Sequence, residues 1–269
     1  MNKIFTIIIP VHVYNEDVAN LLPRAISSIP EGFKIIISCA NGILTNLQEL
    51  VGTENVTFVE NPTEGVIDFP SLVNQGVEAI NGETEYFSIL EFDDVYTNIW
   101  FNNVERYIEY HTNNGIDVSV YLPMEDILEF TENLDEVRFI GFGNEAPWAS
   151  SFSDEIGFID NGCLENFFDF YLTGSVFKTS DWIGLKPSLK VSFWYEFLLR
   201  LTSKGKKVYV IPRIGYKHYV NREGSLYLQY RESMTDKEST WWFETAKEES
   251  KYDEDRNVTY VENNNEEGE

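Results

Sequence analysis

The sequence predicts an α/β fold, a mostly parallel sheet flanked by helices, over residues 1–222, followed by a helical and acidic C-terminal appendage over 223–269. Three observations predict it. Continuous apolar runs such as Phe5 to Val11 and Phe33 to Cys39 read as strands buried on both faces, which is the mark of parallel pairing. Segments with apolar residues at helical spacing lie between such runs. Glu91, Asp93 and Asp94 follow directly on the apolar run Tyr86 to Leu90, at the carboxyl end of a strand, where open α/β sheets bind their ligands.

The elements follow in order. Phe5 to Val11 forms the first strand. Asn15 or Asp17 caps a helix through Ser28, with Val18, Leu21, Leu22, Ala25 and Ile29 on one face. Phe33 to Cys39 and Val56 to Val59 are the second and third strands. Asp68 and Pro70 start a helix through Ile80. Tyr86 to Leu90 is the fourth strand, Tyr96 to Thr112 a further helix and Asp117 to Leu122 another strand. Residues 123–169, rich in aromatic and acidic side chains, read as an antiparallel extension or a lid. Tyr171 to Phe177, a helix from Val191 to Ser203, and strands at Lys207 to Ile211 and Tyr216 to Val220 complete the first unit. Beyond Arg222, Ser239 to Ser250 reads as one helix. Its Trp241, Trp242 and Phe243 offer an apolar surface for docking on the domain or on a second copy, and the polar end after Asn263 reads as disordered.

Composition sets the class. With 269 residues, 43% hydrophobic and 15% aromatic, the chain is globular and buries a full core. A formal net charge of -25 argues against nucleic acid and against anionic membranes as partners, since both need a positive face. Cys39 and Cys163 lack metal-ligand spacing and read as reduced, buried thiols of a cytoplasmic protein. The run Ile4 to Val11 is too short to span a bilayer, which takes about 20 apolar residues. The carboxylates at 91, 93 and 94 are hard oxygen ligands and suit Mg²⁺ or Mn²⁺, held together with substrate phosphates.

Several short patterns, in order, resemble one family. The opening Phe-Thr-Ile-Ile-Ile-Pro-Val-His-Val-Tyr-Asn and the later Leu-Leu-Pro-Arg-Ala-Ile-Ser-Ser-Ile are similar to the first strand and helix of family 2 glycosyltransferases, which have the GT-A fold. His12 and Val13 look like a short insertion into the family's Pro-x-Tyr-Asn. Asn61, Gly65, Asn74, Gly76, Ala79 and Gly82 fall at the family's spacing, and Leu90-Glu91-Phe92-Asp93-Asp94 falls on its DXD motif. Trp182-Ile183-Gly184, Arg200-Leu201, Gly205 and His218 follow its second half, so the resemblance covers residues 3–222.

The resemblance implies a metal-assisted and inverting transfer of a sugar from a nucleotide-sugar donor to an acceptor, which is a glycan, a protein or another molecule. Such enzymes are hexosyl- or pentosyltransferases. It implies Mn²⁺ or Mg²⁺ on Glu91, Asp93 and His218, and donor contacts from Pro10, Tyr14, Asn15, Asn41, Asn74 and Glu91. A partly buried histidine at a strand end is the plainer reading of His218. Three positions depart from the family. Cys39 and Ala40 stand where aspartates read the uracil ring, so uridine preference is expected to be weak. Glu91 opens the DXD motif. Phe193 and Trp194 occupy the place of the family's acid pair, which leaves Glu196 as the first candidate for the general base, with Asp160, Asp169 and Asp181 behind it; pairing with Arg200 is its other reading. A second hypothesis keeps the fold without the catalysis, as a binding or structural module.

Overall fold

The computed structural model describes residues 5–65, 68–131, 136–149, 152–222, 225 and 244–248. Strand β1 (Phe5–Val11) is buried along its whole length, because it lies between two parallel neighbours and is covered on both faces. Asn15 then caps α1 (Glu16–Ser27), its side chain accepting from the Val18 N–H at 3.0 Å, with Glu16 and Asp17 favourably placed in the first turn. There follow β2 (Lys34–Cys39), α2 (Leu44–Val51), β3 (Val56–Glu60) and α3 (Phe69–Glu78). Asp68 caps α3 by accepting from the Ser71 N–H at 2.8 Å. Gly76 lets this helix settle on β1: a Cβ there would stand 2.5 Å from Ile8 Cγ2.

Then come β4 (Tyr86–Ile89), the short β5 (Val95–Tyr96), α4 (Trp100–Asn113), and the long β6 (Val118–Phe130), paired in a hairpin with β7 (Val137–Gly143). The segment expected to be irregular is thus partly the antiparallel extension. A short α5 (Asn161–Asn166), β8 (Val176–Lys178), α6 (Phe193–Ser203) and β9 (Lys207–Val220) close the described fold. Among the described residues the strands form one sheet ordered β3-β2-β1-β4-β8-β6-β9-β5, with β7 beyond β6. The β1–β2, β1–β4, β2–β3 and β6–β9 pairs are parallel, and β8 joins the two parallel blocks by antiparallel pairing to β4 and β6.

The pleat divides the core. Phe5, Ile7, Ile9 and Val11 point to one hydrophobic cluster, shared with α1 and α4, while Ile8 points to the other, shared with α3 and α6. Ala246, in the helical stretch 244–248, is buried in the second cluster. The aromatic triplet Trp241, Trp242 and Phe243 and the polar end after Asn263 lie outside the described residues. Both cysteines are free and buried. Among the described residues no helix is long and apolar enough to cross a membrane.

Candidate active site

The site forms where three strands end or bend together. After β4 the chain turns at once through Glu91 to Asp94 into β5, and these acids meet the far half of β9. Glu91, Asp94 and His218 offer ligand atoms that all lie within 4.8 Å of one another. The Glu91 N–H donates to the Tyr216 hydroxyl at 3.2 Å, and Asp94 Oδ1 accepts from the Tyr219 N–H at 2.7 Å, so β9 fixes both acids from the main chain outward. Asp94 Oδ2 is buried with no hydrogen-bond partner among the described residues.

Asp93 faces elsewhere. Its Oδ2 accepts from Arg222 Nε at 2.7 Å, and Arg222 Nη1 reaches Asp17 Oδ2 at 2.9 Å. The Asp93 carbonyl accepts from Arg24 Nη2 at 2.5 Å. Expected as a metal ligand beside Glu91 and His218, Asp93 is instead held by a buried guanidinium, and Asp94 takes its place in the cluster. The cause is long-range: Arg222 returns at the end of β9 to cover Asp93.

Burial and crowding of acids set the electrostatics. Burial, then Asp93, pushes Glu91 up to about 7. Burial raises Asp94 well above the ordinary carboxylate range. It also pushes up Glu125, a fully buried β6 acid behind His218, to about 7. Burial alone would lower His218, but Asp94, Glu125 and Glu91 outweigh it and push it up to about 10. Burial, then Arg222, pushes His12 down to about 4, so this pocket residue is neutral. The mixed oxygen and imidazole donors of Glu91, Asp94 and His218, with an unsatisfied Asp94 oxygen among them, fit Mn²⁺ or Mg²⁺.

Beside the cluster lies a pocket of about 530 Å³, in the usual range for small-molecule sites. Pro10, Glu91, Asp93 and His218 are among the residues that line it. The other expected donor contacts are not in its wall. Asn15 is spent on capping α1. Asn74 clamps the loop before α6, donating to the Leu185 carbonyl at 2.7 Å and accepting from the Leu185 N–H at 2.8 Å. Asn41 is exposed and donates to the Pro62 carbonyl at 3.3 Å. Tyr14 packs against the first core cluster.

Glu196 requires a correction. It is 0% exposed, and Arg200 grips it with two hydrogen bonds, Nε to Oε1 at 2.8 Å and Nη2 to Oε2 at 3.0 Å, while Lys186 Nζ stands 3.3 Å from Oε1. It does not line the pocket, and a base must reach the proton it removes. Its helical spacing to Arg200 makes it a structural ion pair. Glu196→Ala should therefore leave turnover per folded molecule unchanged. Stranding the buried Arg200 guanidinium should cost about 3–5 kcal/mol, hence roughly 6–20 °C in melting temperature at ~2–4 °C per kcal/mol. Lost turnover at full stability would reinstate it as the base.

Asp169, a secondary expectation, does line the pocket, and among its described carboxylates it is the exposed one. Asp68, also in the wall, caps α3 and stands 3.5 Å from Lys190. Asp181 is engaged by Lys206 at 2.6 Å and Ser119 at 2.7 Å, and Asp160 caps α5. His12, Glu125 and Arg222 were missed. The available signals were slight: a polar insertion after β1, an acid inside an apolar strand, and a basic residue four places after His218.

No protein-family model matches the chain, and no curated protein sequence matches it significantly. Solved structures do. TarS residues 1–349 from S. aureus in complex with UDP-GlcNAc superposes with a TM-score of 0.62 at 14% identity, covering 92% of this chain and 65% of that one. The same protein in complex with UDP gives 0.55 at 14% identity over 81% and 61% of the two chains. TarS 1–349 alone gives 0.54 at 15% identity over 80% and 60%. TarS is a family 2 glycosyltransferase, and the present chain has a GT-A-like glycosyltransferase fold. It spans a little under two thirds of the length of these TarS 1–349 structures.

Proposed function

We propose that the chain transfers a sugar from a nucleotide-sugar donor to an acceptor hydroxyl, with Glu91, Asp94 and His218 holding a divalent cation. The observation that carries this reading is the cluster of those three residues, with its unsatisfied Asp94 oxygen, at the carboxyl end of β4 beside the pocket of a GT-A-like fold. Complexes of the structural neighbour with UDP-GlcNAc and with UDP support a nucleotide-sugar donor. When bound, Mn²⁺ or Mg²⁺ supplies Lewis acidity and charge neutralisation to the departing diphosphate.

The chain's own residues do the rest. Arg222 holds Asp93 away from the cluster and keeps the turn closed. Asp169 accepts the acceptor hydroxyl's proton as that oxygen attacks the anomeric carbon and the bond from that carbon to the diphosphate oxygen breaks, which gives inversion in one displacement. Residues 1–222 carry the transfer site, and the described stretch 244–248 packs on it through Ala246. The setting is cytoplasmic, consistent with two buried, unpaired thiols.

A panel of nucleotide sugars with and without Mn²⁺, read by thermal shift, tests the proposal, because a ligand that binds only the native state raises its melting temperature. A rise that needs both nucleotide sugar and Mn²⁺ is expected; no rise with any combination refutes it. Within that panel uridine should hold no clear advantage over other bases, since Cys39 and Ala40 are buried and apolar and Asn41 sits outside the pocket wall. A strong preference for UDP in competition would contradict this. A catalytically silent binding module is the second reading, favoured by Phe193 and Trp194 standing where the family's acid pair belongs. Ligand binding with no transfer or hydrolysis would select it.

A further inference from the structure

Glu125 is 0% exposed, yet neither carboxylate oxygen has a hydrogen-bond partner among the described residues. A buried acid without a hydrogen-bond partner is expensive, so its environment needs an explanation. The β6–β9 register shifts on both sides of Met124, immediately before Glu125, and such irregularities re-aim side chains beside active sites. Here the shift sets Glu125 opposite Tyr216, and its Oε2 stands 3.4 Å from His218 Nδ1, itself without a hydrogen-bond partner. Tyr171 packs edge-on against the His218 ring, with centroids 4.6 Å apart, and limits how the imidazole can turn. Glu125 lies outside the group whose ligand atoms share the 4.8 Å cluster.

We propose that Glu125 is a positioning residue for His218: it accepts the Nδ1–H proton in a hydrogen bond, fixes that tautomer, and so presents Nε2 to the divalent cation. The role rests on the cation reading given above. Carboxylates behind metal-binding imidazoles act in this way, and their loss typically weakens metal affinity by ~10–100-fold. It explains why two facing polar groups, each lacking a partner, are kept at 3.4 Å: the bond tightens when the imidazole engages the ion.

Mn²⁺ alone is the probe, titrated into the full chain while the free ion is followed by its paramagnetic resonance signal, with melting temperature read on the same metal-free samples. Glu125→Gln should weaken Mn²⁺ binding by about 10–100-fold, and the metal-free melting temperature, read on the same samples, separates lost affinity from lost fold. Glu125→Asp, which keeps the charge on a shorter arm, should recover part of the affinity. Glu129→Gln, at a partly exposed acid farther along β6, should match wild type. Wild-type Mn²⁺ affinity in both Glu125 variants overturns the role while leaving the cation site standing. A lower melting temperature with unchanged affinity also overturns it, by showing that Glu125 is merely structural. If wild type takes up no Mn²⁺, the cation reading falls, and this role falls with it.

Discussion

Asp94→Asn is expected to abolish measurable Mn²⁺ binding and to cut sugar transfer by about 10²–10³-fold. The cation's stabilisation of the leaving diphosphate amounts to several kcal/mol, and each 1.36 kcal/mol is about tenfold in rate. The folded chain should not suffer. The substituted amide keeps an oxygen for the Tyr219 N–H, and the change removes a charge whose second oxygen is buried without a partner among the described residues. The informative comparison is Asp93→Asn. Alignment with the DXD pattern makes Asp93 the ligand, whereas the geometry gives it to Arg222. Asp93→Asn should keep Mn²⁺ affinity within a few-fold of wild type and lose about 1.5–3 kcal/mol of stability, because the bond to Arg222 loses its charge assistance while Asp17 still holds that guanidinium. Titration calorimetry with Mn²⁺ and a nucleoside diphosphate on both variants decides the matter. Loss of metal binding in Asp93→Asn, with retention in Asp94→Asn, would return the site to the pattern the sequence suggested.

Asp169→Asn is expected to lower turnover by about 10²–10⁴-fold with nucleotide affinity nearly unchanged, the contribution typical of a general base. Exposure and a place in the pocket wall single it out, since it is the exposed carboxylate among the described residues that line the pocket, whereas Glu196 is buried outside that wall. Steady-state kinetics with saturating donor, set beside donor binding measured directly, separates the two effects. Equal turnover in wild type and Asp169→Asn would remove Asp169 from the mechanism, and weaker donor binding at equal turnover would make it a binding residue.

How much of this was legible in the sequence depends on how local each signal is. β1, β2 and β4 announce themselves, since strands covered on both faces are apolar without alternation. The Asn15 and Asp68 caps were also visible, because capping is local chemistry. Helix α2 was missed: only Leu47 of its eight residues is fully buried, so no stripe appears. Strands β6 and β9 are longer than expected. Pro123 in one, and Pro212 with Gly215 in the other, read as breaks, but the two strands shift register around Pro123 and Met124 and continue past them.

In the site, the acidic turn and His218 were visible, while the choice of Asp94 over Asp93 was not. It depends on Arg222, 129 residues away from Asp93 along the chain. Asn15 and Asn74 show the converse: at motif positions they serve a helix cap and a loop clamp outside the pocket wall. Glu125 carried only the slight signal of an acid inside an apolar strand, because its meaning comes from a neighbour on another strand.

The central claim is that Glu91, Asp94 and His218 together hold a divalent cation against a nucleoside diphosphate. Anomalous diffraction from crystals grown with Mn²⁺ and UDP tests it most directly. A single Mn²⁺ peak bounded by those three side chains and the diphosphate, with Arg222 still on Asp93, is the predicted result. Bound UDP with no Mn²⁺ peak, or a peak ligated by Asp93 with Asp94 turned away, would contradict the claim.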